Sequence, residues 1–80
     1  MITPEQADKL AQTTMQDYVK ACHCENNQDV ANVLMKLASM CGLGMCAVVG
    51  QPEAVARMQG TADHVAKTQS GRHWTRGTLQ

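Results

Sequence analysis

The sequence predicts an all-α fold, a small three-helix bundle with a central apolar helix, completed by homo-oligomerisation. Apolar residues recur at helical spacing in three segments, and helix start and stop signals bound each of them. The chain has no Phe, one Tyr and one Trp, so its core must come from Ala, Val, Leu, Met and Cys. Such residues pack helices closely, whereas small β-proteins usually show more aromatic and β-branched runs. A length of 80 residues allows one domain at most.

The first helix has a clear start signal. Thr3 is placed as the N-cap, Pro4 occupies the first helical position, and Gln6 completes a capping box. Apolar and small residues then recur three and four positions apart as far as Cys22. The pattern predicts a helix over residues 4–22.

The second helix follows a break and carries an unusually apolar second half. Asn26 and Asn27 are good caps, and the apolar spacing predicts a helix over 27–49. Residues 37–50 carry no charge, and apolar residues occupy nearly every side of this stretch. That pattern is typical of a helix buried on nearly every side.

Two glycines interrupt this apolar stretch. Gly42 and Gly44 each cost about 1 kcal/mol against Ala inside a helix, so they could end the second helix at Cys41. We favour a continuous helix because the apolar spacing keeps its phase through both glycines. On this interpretation they form a smooth patch where another backbone approaches.

The third helix is predicted over residues 52–68. Gly50 ends the preceding helix, and Pro52 takes the first position of the next. The helical domain therefore covers residues 1–69. Residues 70–80 show no periodicity and are predicted to form a tail that is flexible or becomes ordered on a partner.

The central helix should have more apolar surface than two flanking helices can cover. The surplus should meet another copy of the protein, and the commonest arrangement is a two-fold dimer, with a tetramer or hexamer left open. The residues expected to carry self-association are Leu37, Cys41, Gly44, Met45 and Val48.

A basic cluster with one aromatic residue surrounds the start of the tail. Basic groups beside an aromatic ring can hold phosphate and stack a base. Other interpretations are docking on another protein, or a solvated tail whose Trp folds back on the domain or onto a neighbouring subunit. The candidate ligand- or partner-binding residues are Lys67, Arg72, His73, Trp74 and Arg76, with Tyr18 as a second stacking residue.

Neither the cysteines nor the histidines form a recognisable metal or catalytic motif. The stretch Cys22-His23-Cys24 is tighter than the usual zinc-ligand spacing, and Cys41 and Cys46 diverge on a straight helix. We expect no metal, no cofactor and no enzymatic activity. Cys41 and Cys46 are expected to be core thiols, and all four cysteines to be reduced.

Charge and hydropathy favour a cytoplasmic protein. Seven basic residues balance seven acidic ones, which is unlike the strongly basic balance of nucleic-acid-binding domains. The first ten residues lack the pattern of a signal peptide. The uncharged run of 37–50 is shorter than the roughly 20 residues that span a bilayer, so no membrane partner is expected.

These observations predict a non-enzymatic, homo-oligomeric helical binding protein that acts as an inhibitor or adaptor of a larger protein. Short chains with few motifs are frequent among accessory proteins of phages and other mobile elements. The alternative is a binder of a nucleotide-like or other phosphorylated ligand, or of nucleic acid, at a subunit interface that uses the basic tail.

Overall fold

Three α-helices make up most of residues 1–68, which are the residues that the structure, a computed structural model, describes. They are α1 (Pro4–Ala21), α2 (Asn27–Val49) and α3 (Gln51–Lys67). Residues 1–68 contain no β-strand. The all-α class with three helices is confirmed, and the helices begin and end within one residue of the expected positions.

The start of α1 is the predicted capping box. The Thr3 hydroxyl accepts a hydrogen bond from the Gln6 amide at 3.2 Å, and the Gln6 side-chain oxygen accepts one from the Thr3 amide at 3.0 Å. Pro4 lies in the first turn, where its missing N–H leaves no partner unsatisfied.

The end of α1 places a non-glycine residue in the left-handed region. Cys22 is the C-cap, and its amide donates to the carbonyl oxygens of Tyr18 and Val19 at 3.1 Å. His23 follows with φ of 54° and donates its amide to the Lys20 carbonyl at 3.2 Å. This position is one that helices usually give to glycine.

An asparagine cap starts α2. The Asn26 side-chain oxygen accepts a hydrogen bond from the Asp29 amide at 2.8 Å. The Asp29 carboxylate in turn accepts one from the Glu25 amide at 3.1 Å, so the cap is reciprocal. A carboxylate in the first turn also suits the positive end of the helix dipole.

The described residues divide into two compact units, and α2 contributes to both. The first unit, Met1–Leu34, contains α1 and the first part of α2. Val19 and Val30 are buried in it. The Tyr18 hydroxyl donates a hydrogen bond of 2.8 Å to the Val33 carbonyl oxygen, which ties α1 to α2.

The second unit comprises the rest of α2 and α3, within residues 35–68. Its buried residue is Ala54, near the start of α3. The Met58 side chain packs over Gly42: a Cβ atom at Gly42 would lie 3.7 Å from the Cγ, Sδ and Cε atoms of Met58. Gly42 therefore accommodates a side chain of α3, not the backbone that we expected to approach it.

A single glycine separates α2 from α3. Gly50 has φ of 89° and ψ of 159°, a conformation that only glycine adopts readily. Its amide donates to the Cys46 carbonyl at 3.0 Å, and its own carbonyl accepts from the Ala54 amide at 3.0 Å. Gly50 thus ends α2, as the sequence predicts, and it is also the N-cap of α3, which begins one residue before the expected Pro52. Pro52 lies in the first turn of α3.

The second helix is continuous through Gly42 and Gly44, as we favoured. The expectation that it is buried on nearly every side is wrong for the single chain. Met40 and Leu43 are 66% and 65% exposed, because α3 packs against only one side of this part of α2. The predicted tail, residues 70–80, lies outside the described residues, and the one-domain organisation stays a prediction.

Candidate interaction surfaces of the second unit

The residues expected to carry self-association share one face of α2. At about 100° of rotation per residue, all five fall within an arc of about 100°. Val48 is 78% exposed, Cys41 and Gly44 are also exposed, and Leu37 and Met45 are half-buried. We call this set the association face: Leu37, Cys41, Gly44, Met45 and Val48.

Gly44 is the most open position of the association face. A Cβ atom placed on it would meet no atom of the described residues within 4 Å. The contrast with Gly42, which Met58 covers, shows that the two glycines have different surroundings despite lying two residues apart. Packing within the described chain accounts for Gly42 but not for Gly44.

One expectation about the core is wrong for Cys41. It was expected to be a buried core thiol, but it is exposed, and Cys46 is half-buried. The reason is again the one-sided packing of α3, since Cys41 lies on the association face and Cys46 on the side that α3 contacts. The structure forms no disulfide bond among Cys22, Cys24, Cys41 and Cys46.

An apolar groove lies between α2 and α3 within the second unit. Its volume is about 520 Å³, and none of the described residues that line it is charged. The α2 residues that line the groove lie on a side of the helix roughly opposite the association face. We call this the α2–α3 groove, and its lining residues are Ser39, Gly42, Leu43, Cys46, Ala54, Val55, Met58, Gln59 and Ala62.

Sequence reasoning did not identify this groove. The signal was present, because Ser39, Gly42, Leu43 and Cys46 recur at spacings of three, one and three residues. Nothing in the sequence alone says, however, that α3 leaves an open channel there.

Only Lys67 and Tyr18 of the predicted ligand-binding residues lie in the part of the chain that the structure describes, and they belong to different units. Lys67 is exposed at the end of α3 in the second unit. Tyr18 belongs to the first unit and uses its hydroxyl to bind the Val33 carbonyl. The four tail residues proposed for the same role lie outside the described residues: Arg72, His73, Trp74 and Arg76.

Tyr18 has a perturbed environment. Burial raises the pKa of its phenol above the ordinary 10.0, and the nearby thiols of Cys22 and Cys24 act in the same direction. Ionisation of Tyr18 would remove the proton that it donates to Val33. The arrangement suits a structural hydrogen bond that is kept at neutral pH.

Residues 1–68 hold no group of three or more His, Cys, Asp or Glu side chains placed to bind a metal ion. His64 does not pair with the adjacent Asp63. Its Nε2 atom lies 3.5 Å from the Thr68 hydroxyl, one turn along α3.

One helix in the described part of the chain is long and apolar enough to cross a membrane. It is α2, whose mean hydropathy reaches 1.6 over 18 residues, none of which is buried. The helix is long enough although its uncharged run is short, because the residues before Lys36 extend it. Core helices of soluble proteins and signal sequences can have the same length and hydropathy, so these properties of α2 are weak support for a membrane span.

Comparisons with known protein families, with curated proteins and with solved structures found no match to this chain. Its function is therefore inferred from its own residues and surfaces.

Proposed function

We propose that the protein is a non-enzymatic helical binding protein that self-associates through the association face of α2. In this form it acts as an inhibitor or adaptor of a larger protein. The observation that carries the proposal is the open apolar surface of the association face, on which Val48 is 78% exposed and Cys41 and Gly44 are also exposed. Contiguous apolar surface of this kind is typical of sites that bind another protein.

Self-association would bury this surface efficiently. Full burial of a Val, Leu or Met side chain stabilises by about 1.5–3 kcal/mol. Val48 retains most of that gain, because little of it is covered within the chain. In a two-fold dimer the same patch meets itself, so each buried side chain counts twice.

Gly44 supports the association face independently of hydrophobicity. A glycine in this position costs about 1 kcal/mol against alanine. Within the described residues, no other group occupies the space that a side chain at Gly44 would take. The close approach of a helix from a second copy would give the missing Cβ a role, since glycine allows backbones to come near one another.

A pair of leucine substitutions tests self-association. Gly44 and Gly60 are both exposed helical glycines, and a Cβ atom at either one would meet no atom of residues 1–68 within 4 Å. We expect light scattering to show a discrete wild-type oligomer at micromolar concentration. Gly44→Leu should lower the measured mass to that of the monomer, and Gly60→Leu should leave the oligomer intact. A wild-type monomer throughout, or equal masses for both variants, would contradict the proposal.

The same pair tests the binding role. If the oligomer is the active form, a larger protein captured by the wild type should also be captured by Gly60→Leu and should be lost with Gly44→Leu. Circular dichroism must show both variants to be helical. Flotation of the wild type with lipid vesicles, in place of a discrete oligomer in water, would overturn the proposal and assign α2 to a membrane.

A further inference from the structure

Within residues 1–68 the α2–α3 groove is an open apolar channel, and one large aromatic side chain follows it closely in the sequence. Twelve residues, 69–80, follow the described part, and they include Trp74, the only Trp in the protein. Every described residue that lines the groove is uncharged. An uncharged groove therefore suits the indole ring of Trp74 better than it suits the charged side chains of Arg72 and Arg76.

The reach of the chain permits this contact. Trp74 is the sixth residue after Thr68, and an extended chain covers about 3.3–3.6 Å per residue, so Trp74 can lie up to about 20 Å from Thr68. Along α3, Ala62 is six residues before Thr68 and Met58 is ten, which corresponds to about 9 Å and 15 Å. Thr68 has already left the helix, with an extended φ of −86° and ψ of 134°. Gly71 provides a place where the chain can reverse.

The chemistry of the groove suits tryptophan. Met58 lines it, and methionine sulfur makes favourable contacts with aromatic rings. Ser39 and Gln59 also line it and offer oxygen acceptors for the indole N–H, which is only a donor. A volume of about 520 Å³ leaves room for a side chain of this size.

We propose that residues 69–80 fold back and place Trp74 in the α2–α3 groove of its own chain. Tethering favours this occupant over a free partner, because a short linker gives an effective concentration in the millimolar range. A second copy has a different place to bind, since the association face lies roughly opposite the groove on α2.

Tryptophan fluorescence of the full chain, excited at a wavelength that Tyr18 does not absorb, tests the contact because Trp74 is the only Trp in the sequence. In the wild type we expect emission shifted to shorter wavelength than free N-acetyl-tryptophanamide, with protection from acrylamide. Ala62→Asp puts a charge in the groove and should move the emission to the free value and remove the protection. Ala56→Asp makes the same change at an exposed position away from the groove, and should alter neither.

Two results would overturn the proposal. One is wild-type emission identical to that of the free amide. The other is emission that reverts to the free value on dilution, since that would place Trp74 on a second copy or another partner.

A second measurement does not depend on a substitution in the helices. Cys46 lines the groove, whereas Cys41 lies on the association face. In the full chain, Trp74→Ala should raise the alkylation rate of Cys46 several-fold and leave that of Cys41 unchanged. An unchanged Cys46 rate would count against the tail as the occupant. The alkylation rate of Cys46 reports on the groove and not on the oligomer mass. The tail proposal can therefore be refuted while the proposed self-association holds, and self-association can be refuted while the tail proposal holds.

Discussion

Replacing Gly50 with alanine should destabilise the protein through the backbone alone. Gly50 has φ of 89° and ψ of 159°, and a Cβ placed there would meet no atom of the described residues within 4 Å. Crowding by neighbours is therefore not the cause of any loss. A non-glycine residue held in this region costs about 1–3 kcal/mol, so Gly50→Ala should lower the free energy of unfolding by about that amount.

Gly60→Ala is the matched control and should have the opposite sign. A Cβ atom at Gly60 would also meet no atom of the described part of the chain within 4 Å, but Gly60 lies inside α3 with helical backbone angles. Alanine is about 1 kcal/mol more favourable than glycine in a helix, so this variant should be more stable than the wild type. The two variants make an identical chemical change and differ only in the local backbone.

Thermal unfolding followed by circular dichroism at fixed protomer concentration measures both effects. A change of 1 kcal/mol shifts the Tm of a domain of this size by about 4–8 °C. Gly50→Ala should melt below the wild type and Gly60→Ala above it. If Gly50→Ala melts with the wild type, the positive φ at the α2–α3 junction is not a feature of the folded protein and our reasoning fails.

Three further predictions concern the first unit. Tyr18→Phe should melt at a lower temperature because the Val33 carbonyl loses its donor. The pKa of Tyr18 is raised, so the folded state holds the phenol proton more tightly than the unfolded state does. The stability contributed by this proton should be full below pH 10.0 and should fall as the pH rises above it. Thermal melts over a pH series should show that Tyr18→Phe lacks this fall. His23→Gly should raise the free energy of unfolding by about 0.5–1 kcal/mol in urea titrations, because the left-handed strain of about 1–2 kcal/mol exceeds the extra entropy cost of glycine. Asn26→Ala should lower it by about 1 kcal/mol, since the Asp29 amide loses its cap, and a variant as stable as the wild type would show that the cap contributes nothing.

The helices were predictable because their signals are local. The capping box at Thr3 and Gln6, the asparagine cap before α2 and the glycine at Gly50 each depend on residues within one turn of the chain. Local signals of this kind also predicted that α2 continues through its two glycines. In each case the sequence carries the hydrogen-bonding groups and the backbone freedom that the structure uses.

The packing of α2 was not predictable in the same way. Which side α3 contacts depends on Met58 meeting Gly42, and these residues are far apart in sequence. The pattern therefore indicated an apolar helix without showing which of its faces a single chain leaves open. For the same reason it did not reveal the groove, and it misplaced Cys41 in the core.

Chemical cross-linking of the wild-type protein tests the central claim, self-association through α2, most directly. Cys41 is exposed on the association face, while Cys46 lies on the opposite side and Cys22 and Cys24 lie in the first unit. After treatment with a short bis-maleimide, mass spectrometry of the peptides should find Cys41 of one copy linked to Cys41 of another. Links between copies that never include Cys41, or no links between copies at all, would contradict the account.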